Sequence, residues 1–78
     1  MSAAALDVGI EDGLRYAAEN AADRGRLGRI VRSHGASEVA ALVDGDMVPP
    51  DGIDDIVAYW SGFAHGVGRF LQRHLGLD

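Results

Sequence analysis

The stretch 59-YWSGFAHGVGRF-70 decides how this chain folds, because it places the only tryptophan and three glycines inside one helical pattern. The apolar residues around it recur at spacings of three and four and lie within about 140° of one another on a helical wheel. A stripe this wide is typical of the core-facing side of a helix in a small bundle. We therefore predict a long amphipathic C-terminal helix that begins at Asp51 or Gly52, with Asp54 and Asp55 in its first turn. The predicted stripe consists of Ile53, Ile56, Val57, Trp60, Phe63, Ala64, Val67, Phe70, Leu71 and Leu75.

Gly62 and Gly66 lie nearly opposite this stripe, on the side that also carries Tyr59. Each glycine inside a helix costs about 0.5–1 kcal/mol relative to alanine, so two of them need a reason. A pair of small residues four apart lets a second helix backbone come close. We expect both glycines to face away from this domain's own core, and Tyr59, Gly62 and Gly66 to form a contact face for a partner helix. The alternative is that they are glycines tolerated on a solvent-facing surface.

The pattern of the N-terminal half predicts either one helix with a kink near 23–25 or two helices, at about 7–22 and 26–33. An apolar stripe runs along the first, and its phase breaks at the sequence Asp23-Arg24-Gly25. The residues of that stripe are Ile10, Leu14, Ala17 and Ala21.

The segment Ser37–Val43 predicts a short third helix with Ser37 as its N-cap. A hairpin at 41–48 that turns on Asp44-Gly45 is the competing interpretation. Together these patterns predict an all-α fold, a bundle of three to four helices in a single domain over residues 1–78.

Composition narrows the function classes. The 78 residues contain no cysteine, and the net charge is −5, with seven basic residues that are all arginine. Disulfides and thiolate metal ligands are therefore excluded. The N-terminus has no secretory signal pattern, and no apolar run approaches the roughly 20 residues of a membrane span. We expect a cytoplasmic protein that does not bind membranes, in the host cell cytoplasm if the protein is phage-encoded.

Charge is distributed unevenly along the chain. A row of arginines comes first and could contact phosphates or an acidic protein; it consists of Arg24, Arg26, Arg29 and Arg32. An acidic run follows, in a stretch from 33 to 68 without lysine or arginine, and could occupy a basic groove meant for phosphates. The run consists of Glu38, Asp44, Asp46, Asp51, Asp54 and Asp55.

Catalytic and metal-binding patterns are missing from the sequence. None of the histidines His34, His65 and His74 pairs with another at a spacing of three or four. Neighbouring carboxylates along the helices point in different directions, whereas hydrolytic catalysis needs acids that face each other in a cleft. We expect no enzymatic activity, no cofactor and no metal.

In its acidic run and glycine face, on a chain too short for a substrate pocket, the protein resembles the small acidic phage-encoded inhibitors of the anti-CRISPR type. The resemblance is one of whole-chain profile. It implies stoichiometric binding to a protein partner such as a CRISPR surveillance complex, with DNA recruitment blocked. Two alternatives stand beside it: a nucleic-acid-binding regulator that uses the arginine row, and a structural subunit that self-associates.

Overall fold

The computed structural model describes residues 2–43, 49 and 52–75, and this part of the chain is all-α. It contains four α-helices followed by a π-helical segment. They are α1 (Ser2–Glu19), α2 (Arg24–Val31), α3 (Ala36–Val43), α4 (Ile56–Phe70) and the π-helical segment (Leu71–Leu75). The predicted all-α bundle is confirmed. No described helix is long and apolar enough to cross a membrane.

Several predicted boundaries are wrong. Helix α1 begins at Ser2 and ends at Glu19, whereas the prediction was 7–22. The predicted helix at 26–33 is α2, which begins and ends two residues earlier. It begins at Arg24 because the Asp23 carboxylate caps it, accepting a hydrogen bond from the Arg26 backbone N–H at 3.2 Å. A side-chain cap of this kind satisfies a backbone donor that has no partner inside the helix, and so sets the start.

The third helix is confirmed in type, although Ser37 lies inside it and is not its N-cap. Because residues 41–43 are helical, the hairpin interpretation is wrong there, and its remaining part, 44–48, lies outside the described residues. The C-terminal helix begins at Ile56, later than predicted, with Asp55 as its N-cap. Asp54 and Asp55 therefore precede the first turn of α4.

Helices α1 and α4 pack with their backbones in direct contact. A Cβ atom added to Gly9 or Gly13 would lie on the carbonyl group of Tyr59 or Phe63, 2.9 Å from the carbonyl carbon in each case. Real Cβ atoms essentially never come within 3.0 Å of such atoms. The approach therefore requires a hydrogen atom in the place of a side chain.

The same arrangement holds from the other side. An added Cβ at Gly62 would lie 3.1 Å from the Leu6 carbonyl carbon, and one at Gly66 would lie 3.1 Å from that of Ile10 and 3.0 Å from the Leu14 nitrogen. In all four cases the nearest atom is a backbone carbonyl oxygen of the facing helix. This is the geometry of Cα–H···O contacts, which contribute about 0.5–1 kcal/mol each. We call these four glycines the glycine seam.

The pairing along the glycine seam gives the direction of the helices. Partners on α4 rise in number as positions on α1 rise, from Gly9 beside Tyr59 to Gly13 beside Phe63. Helices α1 and α4 therefore run parallel. A parallel pair cannot be joined by a short turn, so the chain returns through α2 and α3 before α4 begins.

The other side of α4 carries the aromatic and aliphatic core. The rings of Trp60 and Phe63 have centroids 5.2 Å apart, and Tyr16 of α1 completes the aromatic group at 5.3 Å from Phe63. Helices α2 and α3 cover this side with aliphatic residues. The buried aliphatic side chains are Leu27, Ile30, Val39, Val43, Val67 and Leu71.

Helix α4 is thus buried on two sides, and the predicted single stripe is only partly right. Trp60, Phe63 and Val67 are buried as predicted. Ile56 and Val57 are not, with 44% and 65% of their surface exposed.

Replacing a seam glycine by alanine tests this packing. Gly66→Ala should lower the free energy of unfolding by at least about 2 kcal/mol, because the new methyl group meets rigid backbone and the helices must separate. Gly25→Ala is the matched control, because Gly25 is an exposed residue of α2. There the nearest atom to the added Cβ is the flexible Arg29 guanidinium, at 3.7 Å. We expect the control to be neutral or to gain up to about 1 kcal/mol from helix propensity.

The measurement is urea unfolding followed by circular dichroism and by the fluorescence of Trp60. Equal stability of the two variants would show that α1 and α4 are not in backbone contact.

Candidate functional site

The predicted acidic run is only partly within the described residues, since Asp44, Asp46 and Asp51 lie outside them. Of the others, Glu38 accepts a hydrogen bond at 2.9 Å from the His34 backbone N–H, just before α3. Asp55 accepts one at 3.0 Å from the Ala58 backbone N–H as the cap of α4. Both acids thus stabilise the starts of helices, the usual role of acids at this end of a helix. Asp54 is exposed beside the cap.

The predicted arginine row divides into two parts. Arg26 is half-buried and serves the fold: its Nη1 lies 3.4 Å from the Tyr16 hydroxyl and its Nε lies 3.6 Å from the Asp23 carboxylate. Arg24, Arg29 and Arg32 are exposed and form no ion pair within the described residues.

Two of the exposed arginines lie back along α2 over glycines. Arg32 Nη1 would be 3.2 Å from a Cβ on Gly28, and Arg29 Nη1 would be 3.7 Å from a Cβ on Gly25. Side chains in a helix point toward its N-terminus, which places position i over position i−4. The outer side of α2 therefore presents two guanidinium groups, with the Asp23 carboxylate close to that of Arg29: Asp23 Oδ1 would lie 4.0 Å from the same added Cβ on Gly25.

The predicted partner-contact face of Tyr59, Gly62 and Gly66 is not a free surface. All three residues are buried, and both glycines face the backbone of α1. The expectation that these glycines face away from this domain's own core is therefore wrong. The close helix approach that their spacing indicates is present, but its partner belongs to the same chain.

A buried polar cluster joins the same two helices. The Tyr59 hydroxyl donates to Asp12 Oδ2 at 2.6 Å, and Arg15 Nη2 donates to Asp12 Oδ1 at 2.7 Å. Asp12 is 7% exposed and Tyr59 fully buried. Burial, and then the hydrogen bond to the Asp12 carboxylate, raise the pKa of Tyr59 far above its ordinary value. The cluster therefore keeps Tyr59 neutral as a donor and locks α1 to α4.

Sequence reasoning missed this cluster, although a signal for it was present. Gly9, Gly13 and Tyr16 recur at spacings of four and three, and Asp12 falls on the same side of α1. The spacing of Gly9 and Gly13 is also that of Gly62 and Gly66. Two matched glycine pairs in one chain indicate two helices that pack on each other.

An open groove runs beside α4 on the side away from the glycine seam. It has a volume of about 600 Å³, and six of its lining residues come from the second half of α4 and the π-helical segment. The lining residues are Val31, Ala64, His65, Gly68, Arg69, Leu71 and Gln72. A shallower groove of about 230 Å³ adjoins it toward α3 and shares Val31 and Ala64 with it. We call the two together the α4 groove.

The α4 groove has an apolar floor and a basic rim. Val31 is 43% exposed, and a Cβ on Gly68 would stand 3.6 Å from it at ordinary contact distance. On the rim, Arg69 Nη2 lies 3.1 Å from His65 Nε2, and Arg69 forms no ion pair within the described residues. Among the described residues, no aspartate or glutamate lines either part. The arrangement suits a ligand with apolar side chains and negative charge.

Within the described residues, no three histidine, aspartate or glutamate side chains are grouped so that they could hold a metal ion. The comparisons with known proteins give no relative: no protein-family model, no curated protein and no solved structure matches this chain.

The buried Tyr59–Asp12 pair predicts a loss of stability in alkali. The unfolded chain releases the tyrosine proton near the ordinary tyrosine pKa of 10.0, whereas burial and the Asp12 carboxylate raise the pKa of Tyr59 in the folded chain. Stability is therefore complete below that pH and falls above it, by up to about 1.4 kcal/mol per pH unit. The chain has neither lysine nor cysteine, so no lysine or cysteine titration overlaps this range.

Tyr59→Phe should lose about 1–3 kcal/mol at neutral pH, because the Asp12 carboxylate loses a buried donor. Above about pH 10 it should lose less further stability than the wild type. Urea midpoints at a series of pH values, with tyrosinate absorbance recorded in parallel, measure both effects. Parallel pH profiles for the two proteins would contradict the prediction.

Proposed function

We propose that this protein is a non-catalytic protein-binding module and that the α4 groove is its contact surface. The observation that carries the proposal is an open groove with apolar residues on its floor and, on its rim, Arg69, which forms no ion pair within the described residues. The protein's own core centres on Trp60 and Phe63, and its members Val39 and Leu71 form part of the groove wall. The open volume beside them is available to side chains of another molecule.

The apolar surface beside α4 supports this proposal. Val31 on α2 and Val57 on α4 are 43% and 65% exposed. Val57 precedes Ser61 and Ala64 by one and two helical turns, so these residues share one side of α4. Exposed apolar side chains that continue into a groove are typical of protein-binding surfaces.

The specific form of this function that the sequence predicts is an inhibitor from a phage or other mobile element, of the anti-CRISPR type. In that form the groove and the exposed arginines of α2 would contact an acidic part of a nucleic-acid-processing complex. Asp54 and Glu38, which are exposed, would contact a basic part. The identity of the partner stays a prediction.

A nucleic-acid-binding regulator is the second candidate, and the unpaired Arg24, Arg29 and Arg32 favour it. Against it stands the net charge of −5, which repels a polyanion over most of the surface. The apolar floor of the groove also offers nothing to phosphates. A protein partner can place apolar side chains on the floor of the groove and acidic side chains beside its basic rim.

Site-specific photo-crosslinking tests the proposed function. A photoreactive phenylalanine analogue is placed at Gln72, an exposed residue of the groove, and in a matched protein at Glu11, which is exposed on α1. Each protein is incubated with lysate of a GC-rich bacterium that carries CRISPR systems, irradiated and analysed by mass spectrometry. We expect a discrete protein adduct from position 72 and none from position 11.

A variant in which the groove is blocked is the second part of the experiment. Gly68→Leu fills the groove, because the space beside Val31 admits a side chain, and it should abolish the adduct from position 72 while circular dichroism stays unchanged. Equal adducts from positions 72 and 11, or none from either, would contradict the proposal.

A further inference from the structure

We propose that the occupant of the α4 groove is an amphipathic α-helix of a partner protein that carries acidic side chains beside its apolar ridge. This inference rests on the proposed function and adds the chemistry of the partner. It follows from the length of the groove, from the backbone hydrogen bonding of its walls and from its charge.

The length of the groove matches a short helix. Its lining on the α4 side extends from Ser61 to Gln72, which is about 16 Å at the rise of 1.5 Å per residue. The exposed Val57 adds one more turn at the N-terminal end. A helix of three to four turns laid along α4 would cover this length.

The walls of the groove favour a helix over an extended peptide. The larger part is lined by Val31 of α2, by α4 and by the π-helical segment, whose backbone groups are bonded mainly within their own helices, and only the smaller part includes the link 33–35 between α2 and α3. An extended segment would bury N–H and C=O groups with no partners in the groove, whereas a helix brings its own bonds already made.

The floor allows close approach along the middle of the groove. Ala64 and Gly68 are small and lie one turn apart, and Val31 borders them at ordinary contact distance. Leucine-sized side chains of an incoming helix would enter here, at spacings of four, three and four, against surface that Trp60 and Phe63 do not cover.

The charge of the rim selects acidic residues. Arg69 and His65 line the groove on the α4 side. None of the described lining residues is an aspartate or a glutamate. Glutamates on the flank of the incoming ridge that faces α4 would meet the positive charge of Arg69.

The probe is a pair of synthetic helices of about 16 residues, each with leucines at i, i+4, i+7 and i+11 and a hydrocarbon staple on the outer side. One carries glutamate at the positions that flank the ridge and the other carries lysine. The staple keeps both helical, so they differ in charge alone. Binding to the 78-residue protein is measured by amide chemical shifts of Ala64, Gly68 and Leu71.

We expect the glutamate helix to bind at least about tenfold more tightly than the lysine helix, with shifts centred on the groove. Arg69→Glu should weaken the glutamate helix by about tenfold and strengthen the lysine helix. The matched control is the double variant Ala4→Glu/Ala18→Glu, which adds the same change in net charge on the exposed side of α1. The affinity of this control variant for the glutamate helix should stay within about twofold of that of the wild type.

Equal binding of the two helices, or an equal effect of Arg69→Glu and of the control, would overturn the inference. A single-stranded oligonucleotide that displaces the glutamate helix would overturn it in favour of nucleic acid. A dimer mass in sedimentation equilibrium that is lost in Gly68→Leu would overturn it in favour of a second copy. A photo-crosslink from position 72 with no preference for the glutamate helix would remove this inference and leave the proposed function intact.

Discussion

The contact between the backbones of α1 and α4 is the constraint on which the rest of this structure depends. Four glycines make it, and in each case a carbonyl group of the facing helix occupies the place of a side chain. A helix pair this close contributes dispersion and Cα–H···O contacts along its whole length. It also leaves no room between the helices for apolar side chains, so the side-chain core must form on another side of α4.

Two consequences follow from that seam. Because α1 and α4 run parallel, α2 and α3 form the return connection, and they cover the side of α4 that carries Trp60 and Phe63. Tyr59 borders the seam, so its hydroxyl is buried and finds its partner in Asp12 on the facing helix. A buried donor and carboxylate so matched favour one register of the two helices, since a shift by one turn would leave the Tyr59 hydroxyl without its acceptor and Asp12 with Arg15 alone.

The proposed binding surface is what these packings leave uncovered. Helix α4 is covered by α1 on one side and by α2 and α3 on another, and the remaining side holds Ser61, Ala64 and Gly68. Arg69, which borders it, lies 3.1 Å from His65 Nε2 and forms no ion pair within the described residues, while Asp12 and Asp55 bond to Tyr59 and to the start of α4. An acidic chain thus presents a locally basic groove.

The sequence by itself determined the helical class, the existence of the helices and the core-facing side of the C-terminal helix, because these follow from periodicity along one segment at a time. Phe63, Val67 and Leu71 are buried where the pattern places them. The spacing of Gly62 and Gly66 also indicated a close helix contact. Only the tertiary structure decided which helix makes that contact and which charges stay free. Both depend on pairs distant in the sequence, such as Gly66 beside Ile10 or Tyr59 beside Asp12. A helical wheel drawn for α4 alone assigns the side with Gly62 and Gly66 to solvent, because that side carries few large apolar residues. The same side is buried in the structure, because the glycines Gly9 and Gly13 of α1 allow the two backbones to meet there.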